Sequence, residues 1–143
     1  MQNWWKDIFL IGTGGALYYS LEILYRGYSH WSMFLLGGLC VFIIDKLYQK
    51  RKGIFSVFYF MLTGGLIITA LEGITGAFVN IYLHHHVWDY SNLPLQLFGQ
   101  ISLSFASLWC VLTVPIIWLS GFFHYYVFHD EQPQIRRFRS VFF

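Results

Sequence analysis

The sequence predicts an all-α integral membrane protein, a bundle of about four transmembrane helices. Three observations predict it. Hydrophobic residues make up 57% of the 143 and charged residues 11%, well below the roughly one quarter that an average soluble domain carries. The charges are also segregated: residues 27–44, 53–71 and 90–129 contain no Asp, Glu, Lys or Arg. Such runs approach or exceed the ~20 apolar residues needed to cross a bilayer, and no amphipathic remainder is left to cover a soluble core.

The spans fall at about residues 8–24, 32–47, 54–83 and 95–123, all within one transmembrane domain covering 1–143. A polar, basic tail follows from about 129 to 143. The first apolar run follows Lys6 and Asp7, holds Glu22 and lacks a small-residue cleavage pattern, so a span is expected there and not a signal peptide. Lys6, Lys46, Lys50, Arg51, Lys52, Arg136, Arg137 and Arg139 lie at the N-terminus, in the second connection or in the tail; Arg26 alone lies across from them. By the positive-inside rule both termini are expected in the cytoplasm of a multi-pass cell-membrane protein. Trp4, Trp5, Tyr48, Tyr125 and Tyr126 then mark the inner interface, and Tyr28, Trp31, Trp88 and Tyr90 the outer one.

The third run is long for one crossing. Thirty helical residues would extend ~45 Å against a hydrocarbon core of ~30 Å, so it must tilt, project or bend near Gly73 and Gly76. Pro115 is a second candidate kink. Cys40 and Cys110 sit in apolar runs and read as packing residues.

An internal repeat is visible. Gly14-Gly15, Gly37-Gly38 and Gly64-Gly65 are each followed, after six residues, by an acid: Glu22, Asp45 and Glu72. Spans one and three run in the same direction, so Glu22 and Glu72 can be equivalent in space, whereas Asp45 belongs at the opposite end beside Lys46. Two related helical hairpins are the expectation, the glycine pairs permitting close helix approach.

Ionisable residues within spans are costly and mark function. Glu22 lies ~21 Å and Glu72 ~27 Å from the cytoplasmic start of its span, both toward the outer face. Arg26 stands one turn after Glu22, at ion-pair spacing. If the third helix continues past Tyr82, His86 falls about 40° and Asn80 about 80° from the face of Glu72. Three consecutive histidines cannot share one ion on a helix, so no metal site is assigned. Asp89 to Asn92 reads as a turn, Asp89 and Ser91 capping a fourth helix entered at Pro94, and that helix N-terminus would favour an anion. Gln96, Gln100 and Ser107 would then form one polar stripe on it. The chain has no Walker A, GxGxxG or GxSxG pattern, and nothing in it suggests nucleic-acid binding.

The stretch TALEGITGAF followed by WDYSNLPLQLFGQISLSFASLW, residues 69–78 and 88–109, resembles the bacterial membrane family labelled "Putative ABC-transporter type IV". Trp88, Asp89, Tyr90, Ser91, Pro94, Gly99, Ile101 and Trp109 match its pattern, and Glu72 stands where the family has an acid. Gln96 replaces an Asn of that pattern, and Gln100 stands where a basic residue is common. The resemblance implies a permease-like role. Four spans are few for such a subunit, so a homo-oligomer or a separate transport partner is expected.

A ligand- or lipid-binding site is therefore expected at the outer face, from Glu22, Arg26, Glu72, Asn80, His86, Trp88, Asp89, Tyr90, Ser91, Gln96 and Gln100, with the two Glu as floor and Trp88–Ser91 as lid. No cofactor is expected and no residue receives a catalytic role. An intramembrane enzyme acting on lipid or isoprenoid substrates, with Glu72 or Asp89 as acid or base, and a structural assembly factor are the alternatives.

Overall fold

A computed structural model describes residues 3–130; the expected tail falls outside it apart from His129 and Asp130. The described residues form four long helices: α1 (Trp4–Arg26), α2 (Trp31–Arg51), α3 (Val57–Gly76) and α4 (Leu103–Phe122). Both α3 and α4 run on into π-helical segments, Ala77–Tyr82 and Phe123–Val127. All four are long and apolar enough to span a membrane, and their outward faces are lined by exposed residues such as Leu17, Leu24, Leu66, Ile74, Val111 and Trp118.

Helix α1 packs chiefly on α2, and α3 on α4, giving two antiparallel hairpins. Lipid tails are as apolar as leucine, so burial supplies little drive between helices in a bilayer; close packing must do it. The glycine pairs supply that closeness reciprocally in the first hairpin. A Cβ on Gly14 would stand 2.6 Å from Val41 Cβ, and one on Gly15 2.5 Å from the Phe34 carbonyl oxygen; Gly37 and Gly38 meet Tyr18 and the Ile11 carbonyl in the same way. In the second hairpin Gly64 and Gly65 face Thr113 and Cys110 of α4, which brings no glycine pair of its own. The core between hairpins gathers Met33, Leu36, Ile44, Phe60, Ile68, Trp109 and Ile117.

The ends agree with the charge pattern. Arg26 lies at one end of the bundle, and Lys6, Lys46, Lys50 and Arg51 at the other. Short caps fix the helix starts: the His30 ring accepts from Ser32 N, the Ser56 hydroxyl from Tyr59 N, and the Ser102 hydroxyl from Phe105 N.

Three expectations are corrected. The fourth helix begins at Leu103 and not near 95. Pro94 does not open a helix; it leads into a two-stranded ribbon, β1 (Gln96–Leu97) paired antiparallel with β2 (Ile101–Ser102). Gln96 and Gln100 therefore belong to this ribbon and its turn, so the stripe with Ser107 does not exist, and Ser102 is the cap in place of Asp89 and Ser91. The helical angle assigned to His86 also fails, because the third segment stops at Tyr82. The long third run is resolved by the π-helical turn that starts directly after Gly76, next to the expected bend.

Candidate functional site

At the Arg26 end, the connection after Tyr82 folds back over the mouth of the bundle. Asn80, buried in the π-helical turn, is its bracket. Its Oδ1 accepts from Val87 N at 2.7 Å and its Nδ2 donates to Gln100 Oε1 at 2.8 Å. Gln100 in turn gives its backbone carbonyl to Trp88 Nε1 at 3.1 Å. Gly76 makes room for this layer, since a Cβ there would lie 2.5 Å from Gln100 Oε1. Asp89 closes a tight turn by accepting from the Ser91 amide at 2.9 Å and from the Ser91 hydroxyl. Those two donors hold its carboxyl below the usual aspartate range. Gly99 presses on this turn with φ +69°, and Tyr90 N donates to its carbonyl at 2.7 Å.

Under this layer lies a cavity of about 330 Å³. Of the sequence-selected residues, Glu22, Arg26, Glu72, His86, Trp88, Asp89 and Tyr90 line it. Asn80, Ser91, Gln96 and Gln100 do not; they shape the loop above, Gln96 by accepting from Gly99 N at 2.6 Å. The Arg26–Glu22 pair forms at 2.5 Å, and Arg26 also donates to the Val87 carbonyl at 2.6 Å while stacking over Tyr28. One cation thus ties the first hairpin to the loop of the second. His85 and His30 meet at 3.2 Å; burial and then His85 hold the His30 imidazole below its ordinary range.

Glu72, 3% exposed, is the centre of the arrangement. Tyr90 Oη donates to its Oε1 at 2.8 Å and Trp109 Nε1 to its Oε2 at 3.0 Å. Tyr90 stacks on Phe105 at 4.5 Å, and Phe105 leads on to Trp109 and Tyr18 in a continuous aromatic wall. Burial, followed by the charge of Glu72, pushes the Tyr90 phenol above its ordinary range, so it remains a donor. Interhelical side-chain hydrogen bonds in membrane proteins average ~0.6 kcal/mol, whereas burying a charged group costs several kcal/mol. Two such bonds do not by themselves offset the burial of an ionised Glu72.

Sequence reasoning missed Tyr18, Phe105 and the link between Glu72 and Trp109. Tyr18 was within reach of inspection, lying one turn before Glu22 on the same face. The Trp109 contact crosses 37 residues and two helices, and no local spacing announces it.

A second cavity of about 380 Å³ opens between the hairpins and is almost wholly apolar, bounded by Leu17, Leu21, Leu24, Ile68, Leu112 and Ile116 among others. It shares Tyr18, Leu36 and Glu72 with the polar cavity, so the two adjoin across these side chains. Pro115 lines this groove, one turn beyond the Val111 carbonyl that its missing amide cannot serve.

No curated protein and no solved structure matches the chain. The sequence profile of one family does match, over residues 15–142, extending the resemblance seen around Glu72 and Trp88–Ser91 to nearly the whole chain. This is a four-helix, multi-pass membrane protein that belongs to the family described as "Putative ABC-transporter type IV".

Proposed function

We propose that this chain is a permease-like membrane subunit that binds an amphipathic lipid at its outer face, with the polar head in the Glu22–Glu72 cavity and the hydrocarbon chain in the adjoining groove. The observation that carries this reading is the shared wall. A polar and an apolar cavity, each within the ~300–1,000 Å³ of ordinary ligand sites, have Tyr18, Leu36 and Glu72 in common. The groove lies between the two hairpins and is edged by exposed Leu17, Leu21 and Leu24, so a chain can enter sideways from the bilayer.

The charges select the head. Arg26 is matched by Glu22, which leaves Glu72 and Asp89 as acids without a cationic side-chain partner in the contacts that define the cavity. That favours a head bearing an ammonium over one of net negative charge; the helix N-terminus expected near Pro94 to attract an anion is not there. The basic residues at the far end support an orientation with that end cytoplasmic. Catalysis by a transport motor would come from a separate partner, because the chain carries no nucleotide-binding pattern.

The test is lipid retention measured by native mass spectrometry after purification in mild detergent. The wild-type chain is expected to keep about one lipid, preferring phosphatidylethanolamine over phosphatidylglycerol, and Glu72→Gln, folded normally by circular dichroism, to lose at least about tenfold of that retention. Equal retention by both proteins contradicts the site. A Glu72→Gln variant that fails to fold supports the assembly-factor reading instead.

A further inference from the structure

At the basic end, Asp45 of α2 is completely buried, at 0% exposure. Its Oδ1 accepts from Ser120 Oγ at 2.5 Å and meets His124 Nε2 at 3.0 Å, while its Oδ2 is buried with no hydrogen-bond partner among the described residues. The other ring nitrogen, His124 Nδ1, lies 2.5 Å from Asp130 Oδ2. Asp130 is 41% exposed and is joined to Lys6 Nζ at 2.8 Å. Against a desolvation that pushes it up, the hydrogen bonds from Lys6 and His124 hold the Asp130 carboxyl below its ordinary range. An unbroken line of contacts thus runs from a solvent-reached carboxylate, through both nitrogens of one imidazole, to a carboxylate sealed in the bundle.

Sequence reading placed Asp45 at this end, beside Lys46. The structure turns Lys46 to Asp7 of α1 at 2.5 Å and leaves Asp45 to face His124. Other polar groups at this end among the described residues include Gln49, which donates to Ser120 Oγ at 3.0 Å and accepts from Lys52, the Lys6–Asp130 and Lys46–Asp7 pairs, and Tyr48 of α2, which α3 meets with Phe60. A proton on Asp45 Oδ2 would convert an orphaned buried acceptor into a hydroxyl.

We infer that Asp45, His124 and Asp130 form a proton-exchange site served from the basic end of the bundle. A proton from water reaches His124 Nδ1 past Asp130 as the Nε2 proton passes to Asp45, which leaves the ring as its Nδ1–H tautomer. In the reverse exchange Asp45 returns a proton to Nε2 and Nδ1 releases one past Asp130, so one forward and one reverse transfer leave the imidazole unchanged. Chains of Asp, Glu and His inside membrane spans serve as proton relays elsewhere, and a buried carboxylate with one oxygen unpartnered is costly. This site is separate from the cavity at the Arg26 end and does not depend on what binds there.

The experiment is infrared difference spectroscopy of the full chain in nanodiscs, titrated in water and deuterium oxide between about pH 5 and 8, where an imidazole changes charge. A carboxylic-acid carbonyl band that rises with acidification, shifts on deuteration and disappears in Asp45→Asn is expected. Because Asp45→Asn disturbs a buried residue, Asp130→Asn at the exposed end is the second variant. It should keep the band and slow its deuteration at least about fivefold. Absence of any titrating acid band, or a band indifferent to both variants, overturns the relay and leaves the cluster as a clamp between α1, α2 and α4.

Discussion

Glu72 concentrates the tension between packing and use. Its two oxygens are held by a phenol from the folded-back loop and an indole from α4, so each partner reports on a different part of the site. Tyr90→Phe removes the donor to Oε1 with little change of shape. A loss of roughly 0.6–1.7 kcal/mol is expected, read as a shift of the midpoint in mixed-micelle unfolding. Glu72→Leu orphans both donors and should cost more, about 1–3 kcal/mol for each group left unsatisfied. Equal losses in the two variants would show that Glu72 and Trp109 do not interact. Asp89 makes a pH prediction. Its folded pKa is lowered, so the turn it closes is fully supported above the unfolded value of ~3.9 and is released only as pH falls through the lower folded value. The Ser91 amide resonance should stay in place from neutral pH down to about 4 and move below it, whereas in Asp89→Asn it should not respond to acid over this range.

At the scale of elements, hydrophobic run length located all four helices because a bilayer imposes that length on any crossing. The Gly-Gly-to-acid spacing indicated the hairpins, and Glu22 and Glu72 do line one cavity while Asp45 lies at the other end. Legibility stopped where the chain left regular helix. Leu93, Leu95, Leu97 and Phe98 continue the fourth hydrophobic run, yet the chain here turns into and out of the short strand Gln96–Leu97, with Leu95 and Phe98 at positive φ, and periodicity cannot report such a reversal. The contacts of Asp45 were equally hidden, since its partners Ser120 and His124 lie 75 and 79 residues away. Paired and unpaired glycines differ in the room they leave for a side chain. Gly38→Leu meets the Ile11 backbone and has nothing to displace, so it should reduce stability by more than the ~1–3 kcal/mol typical of an overpacked core and separate α1 from α2. Gly73→Ala approaches only Ile101, at 3.3 Å, and should be nearly neutral. Disulfide trapping between engineered cysteines on α1 and α2 would read the difference.

On the scale of the whole molecule, two polar clusters of the described residues occupy opposite ends of a largely apolar bundle: the polar cavity at Arg26 and the Asp45–His124–Asp130 line at the basic end. Between them the groove separates the hairpins, with Trp109 at its boundary with the polar cavity. Trp109 is only 7% exposed, whereas Trp118 is 54% exposed on the outer surface of the same helix. Bulk lipid can touch the second and not the first. The most direct measurement is therefore tryptophan quenching by brominated acyl chains, in two variants that retain either Trp109 or Trp118 as their single tryptophan. A chain seated in the groove predicts that Trp109 is quenched to an extent comparable with Trp118, and that Glu72→Gln relieves the quenching of Trp109 alone. Trp109 emission untouched by brominated lipid, with Trp118 quenched normally, would contradict the amphipathic-ligand site.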